Sequence, residues 1–300
     1  MQITSVWFYI EVLTDGGSMN KGKEKVMHIV FMIAACVSIL AVVVICLFMF
    51  ANGIPAMHEI GLFKFLLGRV WKPNEGQFGI FPMIVGSIDV TAGAIIVGVP
   101  IGLLCAIFMA RFCPPKVYKI LKPAVDLLAG IPSIVYGFFG LMVIVPIMQN
   151  IFGGNGKGIL TASILLGIMI LPTIISVSET NIRAVPNSYY EGALALGDTH
   201  ERAVFKAIVP AAKSGILAGI ILGIGRAIGE TMAIIMIAGN QPVMPTSALS
   251  GVRTLTSNIV MEMGYAADLH REALIATGVV LFVFILIINL LFSVVKKKGA

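Results

Sequence analysis

The chain has 300 residues, 58% of them hydrophobic and 12% charged, with a mean hydropathy of +0.99. A soluble domain of that length needs a far more polar exterior, so the composition excludes that class and points to a polytopic membrane protein. The net charge of +6 is then read by position and not as a nucleic-acid footprint, and the four cysteines (Cys36, Cys46, Cys105, Cys113) fall at or inside apolar runs and form no disulfide framework.

Residues 1–18 carry Glu11 and Asp15 and lack a basic stretch ahead of an apolar core, so they do not read as a signal peptide. Met19-Asn20-Lys21 makes a natural start, and the first 18 residues read as a dispensable extension of a cytoplasmic segment, 1–26. Six spans follow in a 27–295 transmembrane domain, at about 27–51, 83–110, 125–149, 159–178, 214–238 and 273–295. Residues 296–300 form a basic tail. Pro100, Pro132 and Pro146, with many glycines, interrupt these spans, which membrane helices tolerate when neighbours satisfy the freed backbone groups.

Lys21, Lys23, Lys25, the 111–122 segment, the 179–213 loop and Lys296, Lys297, Lys298 hold most of the basic residues. The opposite side keeps only Lys64, Arg69, Lys72, Lys157, Arg253 and Arg271. The positive-inside rule places both termini and the 179–213 loop in the cytoplasm.

The first outer loop, 52–82, is long for a simple connection. Asp89, near the outer end of the second span, either faces a watery vestibule or opposes the incoming solute if that solute is an anion. In the third span, Gly130 and Pro132 form a break beside Ser133 and Tyr136. Their hydroxyls face a path, or the kink is packed for shape alone. Gly153-Gly-Asn-Gly-Lys-Gly158 falls short of a nucleotide-binding loop, because Gly158 follows the lysine and Ile151 stands where the motif needs glycine.

The 179–213 loop contains two short helices. Ser188 with Glu191 spells a capping box and Gly197 suits a left-handed stop. Asp198 with Glu201 opens the second helix, which is expected to end before Pro210. The pair presents Ala193, Leu194, Leu196, Phe205 and Ile208. This apolar set either meets a protein partner or packs on the inner ends of the bundle.

The fifth span holds Arg226 and Glu230 near its centre, where each charge costs ~2.5–3.5 kcal/mol on insertion scales. Gly215, Gly219, Gly223, Gly225 and Gly229 lay out a small face for close helix approach. Arg226 and Glu230 are four apart and can face each other. Three readings stand: a structural ion pair, a solute-path pair in which Arg226 attracts an oxyanion that Glu230 helps release, and a proton relay through Glu230. Thr231 follows as a further hydroxyl on the path, or as part of the packing. The second outer loop, 239–272, carries Pro242 and Pro245 and the polar set Thr254, Thr256, Ser257 and Asn258. It is a re-entrant segment capping the bundle or a docking surface for an external partner.

Glu191, Gly192, Ala193, Gly197, Phe205 and Ile208-Val-Pro together resemble the EAA loop of ABC importer permeases, with Gly192 in place of the usual alanine. Gly130-Ile-Pro-Ser-Ile-Val-Tyr-Gly137, Arg226-Ala-Ile-Gly-Glu-Thr231, Leu255-Thr-Ser-Asn258 and Gln77-Phe-Gly-Ile-Phe-Pro82 are similar to the permeases of the phosphate-specific (Pst) importers. Met232-Ala233 and Gly239-Asn240 look more like the PstC-type subunit than the PstA-type. The resemblance runs from about residue 25 to the C-terminus. It implies an all-α, six-helix permease of the type I ABC importer (MetI-like) fold, moving inorganic phosphate across the cytoplasmic membrane by alternating access. It also implies Arg226, Glu230, Thr231, Ser133 and Tyr136 along the path, and Glu191, Gly192, Ala193, Leu196, Gly197 and Phe205 in the contact with an ATPase. The implied partners are a PstA-like second permease, a dimeric PstB-like ATPase, a PstS-like external binding protein and membrane lipid, with no nucleic acid. Another oxyanion such as sulfate or molybdate, or an ion-coupled carrier, stands as the alternative. His28, His58, His200 and His270 lack metal spacing and no nucleophile motif occurs, so no cofactor, metal or enzyme site is expected on this chain.

Overall fold

The computed structural model describes residues 21–298, so the reading of residues 1–18 lies outside the described residues. Two compact units divide the chain, one ending at Phe50 and the other starting at Ala51. Helix α1 (Lys21–Ile60) carries the boundary within it. Before Phe50 most of its described apolar side chains are exposed, Ile39 and Leu47 among them.

In the second unit, α1 ends against α2 (Leu62–Leu67) and a two-stranded antiparallel hairpin, β1 (Trp71–Lys72) with β2 (Gln77–Phe78), in which Trp71 pairs with Phe78. Phe65, Trp71, Phe78, Ile80 and Met83 pack there with Leu255 and Leu274. The 52–82 segment is therefore a folded cap and not an open loop.

Helix α3 (Phe81–Ile107) follows and runs into a π turn at Phe108–Phe112. Next come α4 (Pro115–Gly130), α5 (Ser133–Phe139), a π turn (Gly140–Ile144), α6 (Val145–Phe152) and α7 (Ile159–Arg183). The third span, expected at 125–149 with a break at Gly130 and Pro132, divides at Ile131-Pro132. Proline offers no amide and disfavours a helical residue before it, so α4 stops at Gly130 and the spanning stretch is Ser133–Phe152.

Within the 179–213 segment, α8 (Asn187–Ala195), α9 (His200–Ala203), a π turn (Val204–Ile208) and α10 (Val209–Ala211) lead to α11 (Lys213–Gly229). The fifth span, expected at 214–238, ends as a helix at Gly229 and restarts as α12 (Met232–Ile237). Helices α13 (Leu255–Glu262) and α14 (Asp268–Lys298) complete the chain. By length and composition, five helices can cross a membrane among the described residues. A sixth is counted if His200–Ala211 and Lys213–Gly229, bent by 70°, form one span.

Glycine sets the spacing of the central layer. A Cβ at Gly98 would lie 2.8 Å from the Gly167 carbonyl oxygen, and one at Gly102 would lie 2.9 Å from Ile174. α3 and α7 thus touch backbone to backbone. On the other side of α7, Gly215 meets Asn181, Gly219 meets Ser178 and Val177, and Gly223 meets Ile174. The expected small face of α11 holds at those three positions. It does not extend to Gly225 and Gly229, which face open space.

Candidate functional site

The break in the fifth span is built from side chains that take over the backbone groups it frees. Glu230 is extended (φ −69°, ψ 132°) and closes α11. Its carboxylate Oε1 accepts from the Ala233 amide at 3.1 Å, capping α12. Thr231 Oγ1 donates to the Gly229 carbonyl at 3.2 Å, and Thr256 Oγ1, from α13, donates to the Glu230 carbonyl at 3.1 Å. Irregular backbone inside a membrane survives only with such partners.

This arrangement separates the two expected partners. Glu230 is 9% exposed and committed to its cap. Arg226 is half-buried in the last turn of α11, and among the described residues no carboxylate lies within ion-pair distance of it. The expectation that the two could face each other across one helical turn fails, because the extended Glu230 leaves the helical path on which i,i+4 neighbours meet. The structural ion pair is thereby removed. An arginine with an open donor fork remains beside a break in the span.

The second break lies alongside. Tyr136 is buried, and its hydroxyl donates to the Leu128 carbonyl at 2.9 Å across the Pro132 interruption. It serves the kink and is not a free donor. A Cβ at Gly137 would sit 2.8 Å from Ala233 Cα, so α5 and α12 touch directly, and Tyr136 shares a core cluster with Ala233, Ile234 and Ile237. Ser133 is half-buried at the start of α5. Arg226, Glu230, Thr231 and Tyr136 are thus brought to one region by two interrupted spans. Asp89 is half-buried on α3 with no ion pair among the described residues.

The 187–211 segment has a mixed character. Ala193 and Ile208 are buried, Ile208 with Ile107, Ile182, Val204 and Ile216. Leu194 and Phe205 stand exposed, and Leu196 is 89% exposed. The local grammar differs from expectation in three places. Helix α8 starts at Asn187 behind Pro186 with no side-chain cap, so Ser188 and Glu191 form no capping box. Thr199 rather than Asp198 caps α9, accepting from the Arg202 amide at 3.4 Å, while Asp198 pairs with Arg202 at 2.9 Å. Pro210 does not end the helix. It follows the π turn at Val204–Ile208, whose wider spacing accommodates a residue without an amide proton, and the bend comes at Ala212. Gly197 does adopt the left-handed conformation, at φ 90°. A side chain at Gly192 would meet nothing within 4 Å, so that position has room for the alanine usual in the EAA pattern.

Two polar hubs went unread in the sequence. Glu179, 2% exposed on α7, pairs with Arg183, lies 3.4 Å from Lys122 and accepts from the Tyr118 hydroxyl at 3.0 Å. Arg183 lies 4.1 Å over the Tyr118 ring and donates to the Met109 carbonyl at 2.7 Å. Burial, and next the Glu179 carboxylate, hold the Tyr118 phenol above its ordinary pKa. At the other end, Glu262 receives Arg253 at 2.5 Å, His270 at 2.8 Å and the Trp71 indole at 2.9 Å. Only the i,i+4 spacing of Glu179 and Arg183 hinted at the first hub. Nothing local announces the second.

The glycine-rich 153–158 loop borders a cavity of about 150 Å³ with Met148, Phe152, Thr161 and Leu249. Within the loop, the amides of Gly153, Lys157 and Gly158 donate to the Gln149 carbonyl, Asn155 Oδ1 and the Ile237 carbonyl. No group of three or more metal-ligating side chains occurs among the described residues.

Residues 98–298 match the family described as binding-protein-dependent transport system inner membrane component. A probable ABC transporter permease, YqgH of Bacillus subtilis, is 37% identical over 86% of this chain and 87% of its own length. The phosphate transport system permease protein PstC of Mesorhizobium japonicum is 35% identical over 80% of each chain. Its namesake from Haemophilus influenzae is 36% identical over 78% of this chain and 81% of its own. In fold, the chain is similar to a subunit of the MetNI methionine ABC transporter in an inward-facing conformation, with a TM-score of 0.61, 18% identity, and coverage of 77% of this chain and 100% of that one. A chain of a bacterial alginate ABC transporter, in complex with a pentasaccharide-bound periplasmic protein, superposes with a TM-score of 0.56 at 15% identity, covering 88% and 94%.

Proposed function

The chain belongs to the binding-protein-dependent transport system inner membrane components, and from that premise we propose that it is the PstC-type permease subunit of an ATP-driven importer of inorganic phosphate. The fold is all-α and MetI-like, in a multi-pass membrane protein. The observation that carries the reading is Arg226, a guanidinium without a carboxylate partner among the described residues, beside the break at Glu230. Its planar fork suits two phosphate oxygens at once. Glu230, nearby but committed to its cap, keeps the local field from holding the anion too firmly to let it go.

ATP hydrolysis belongs to a dimeric PstB-like partner, and delivery to a PstS-like external protein. A PstA-like permease completes the path. Exposed Leu194, Leu196 and Phe205 supply the ATPase contact. Glu191, Gly192, Ala193 and Gly197 shape the helix and turn that present them. Both termini and the 179–213 segment face the cytoplasm in this reading. The 70° bend before α11 joins that segment to the helix bearing Arg226, so a movement of the ATPase has a short route to the path.

The test is phosphate uptake by proteoliposomes containing the four-component complex, with sulfate and arsenate as competitors. Uptake that needs ATP, resists uncouplers and is blocked by arsenate but not sulfate is the expected result. Uncoupler-sensitive flux persisting without the ATPase would assign the chain to ion-coupled carriers.

A further inference from the structure

Helix α13 is fastened at both ends to different parts of the molecule. Near its N-terminus the Leu255 amide donates to Ser87 Oγ on α3 at 3.0 Å, and Thr256 Oγ1 donates to the Glu230 carbonyl at 3.1 Å. At its C-terminus, Glu262 collects Arg253, His270 and the indole of Trp71 from the β1–β2 hairpin. Arg253 also donates to the Asn240 carbonyl at 3.1 Å and to Asn258 Oδ1 at 3.0 Å, which ties the chain leaving α12 to the same hub. Leu255, Thr256, Ser257 and Asn258 are all buried. Eight residues thus connect a polar hub at the hairpin end of the bundle to the interruption in the charged span.

The Thr256 hydroxyl is the group that reaches that interruption. A threonine in a helix ordinarily bonds back to the carbonyl four residues earlier. Thr180 does so to Ser176 at 2.8 Å and Thr277 to Ala273 at 2.9 Å. Thr254 is the local cap of α13, accepting from the Ser257 amide. Thr256 lies in the first turn of α13, where no helical carbonyl stands four residues back, and its hydroxyl, 3.1 Å from Thr254 Oγ1, crosses to the carbonyl of the extended Glu230 on another element. Without that donor a buried carbonyl is orphaned, and the backbone has reason to move.

We propose that Thr256 is a positioning residue of the transport step: through its hydroxyl, α13 holds the backbone at Glu230 and passes to it the movement of the 239–272 segment when an external binding protein engages. This rests on the reading of the chain as a phosphate permease. Nothing in it requires Thr256 to touch phosphate. The hydroxyl sets where Glu230, and with it the end of the helix carrying Arg226, stands in each state of the cycle.

The experiment compares wild type, Thr256→Val and Thr256→Ser in the reconstituted four-component complex, using phosphate-loaded binding protein. It reads maximal uptake, the binding-protein concentration for half-maximal uptake, phosphate moved per ATP, and assembly by size exclusion. Valine keeps the shape and removes the donor. It is expected to lower maximal uptake and phosphate per ATP on the order of tenfold, the scale of one lost buried hydrogen bond, with assembly and the half-maximal concentration unchanged. Serine, which keeps the donor, is expected to restore uptake to within about twofold of wild type on the same reasoning. Valine at wild-type uptake overturns the proposal, and so does serine as impaired as valine, since then shape and not the hydroxyl matters. Should the valine complex not assemble, Thr256→Ala gives the same contrast with serine. Wild type that moves no phosphate overturns the functional reading itself and with it this proposal, an outcome distinct from either result with the variants.

Discussion

Replacing Arg226 with glutamine separates a guanidinium that serves the solute from one that serves the fold. In the fold, Arg226 has no carboxylate within ion-pair distance among the described residues, and Glu230 keeps its contact to the Ala233 amide whether or not the arginine is present. Removal therefore leaves no buried charge bare, and the stability change stays within roughly 0.5 kcal/mol, the range for sites without a named structural role. Transport is another matter. A charge-assisted hydrogen bond is worth about 1.5–3 kcal/mol, so losing even one such contact to a passing phosphate lowers flux on the order of 10- to 100-fold. Lysine keeps the charge but not the planar two-point fork, and Arg226→Lys is expected to fall between wild type and glutamine. The assay is ATP-dependent uptake of labelled phosphate into proteoliposomes, run beside size exclusion of the purified complex. Glutamine at wild-type flux would remove Arg226 from the path. Loss of assembly in the glutamine variant would show that the guanidinium holds the structure together, and the reasoning from its lack of a partner would fall.

Arg183→Gln should behave in the opposite way: Glu179, 2% exposed, loses one of its two cationic partners, and the complex is expected to melt lower by the equivalent of about 1–2 kcal/mol, discounted because Arg183 itself is 43% exposed; an unchanged melting curve would mean Lys122 suffices. Gly98→Val places a side chain against the Gly167 carbonyl and Ile170, and overpacking of about 1–3 kcal/mol should reduce the yield of folded protein, whereas Gly192→Ala meets nothing and should leave it unchanged, both read by fluorescence-detected size exclusion. Leu196→Asp introduces a charge at an exposed apolar position and is expected to weaken ATPase association by about 2 kcal/mol, the scale of an interface hot spot, without altering membrane insertion; co-purification of the ATPase at wild-type ratio would exclude Leu196 from that contact.

The number and order of the apolar stretches were legible because lipid demands long runs of apolar residues, and such runs survive any tertiary arrangement. The kink at Pro132 was legible for the same kind of reason, since proline acts on its own backbone. The break at Glu230 was not. Neither glutamate nor threonine is a helix breaker, and the interruption depends on a hydroxyl from Thr256, distant in sequence. The Ser188–Glu191 capping box was written in the sequence yet not used, because Pro186 starts the helix at Asn187 instead. Pro210 misled in the other direction, absorbed by a π turn that no local pattern announces. Residues that bring their own conformational rule were readable, and residues whose role is conferred by a distant partner were not.

A sharper criterion than burial depth emerges from the charged side chains. Glu179, Glu262 and Glu230 are all buried, and each is committed to donors: Arg183, Lys122 and Tyr118 for the first; Arg253, His270 and Trp71 for the second; a helix amide for the third. Burying a carboxylate without such company costs several kcal/mol, so these pairings explain why the groups are tolerated, and that suffices to account for them. Among the described residues Arg226 has no such company, and tolerance alone does not explain it. A cation in a membrane-length helix either meets water or meets an anion that comes and goes. Both require an opening, and the spans interrupted at Pro132 and at Glu230, α4 with α5 and α11 with α12, touch through Gly137 and Ala233. Interrupted helices bring backbone dipoles and loosened carbonyls to the midplane, the architecture that lets a solute exchange its water for protein contacts. The free guanidinium and the paired breaks each support the same conclusion, and a substitution that closed the breaks by restoring helix through residue 230 should abolish uptake even with Arg226 intact.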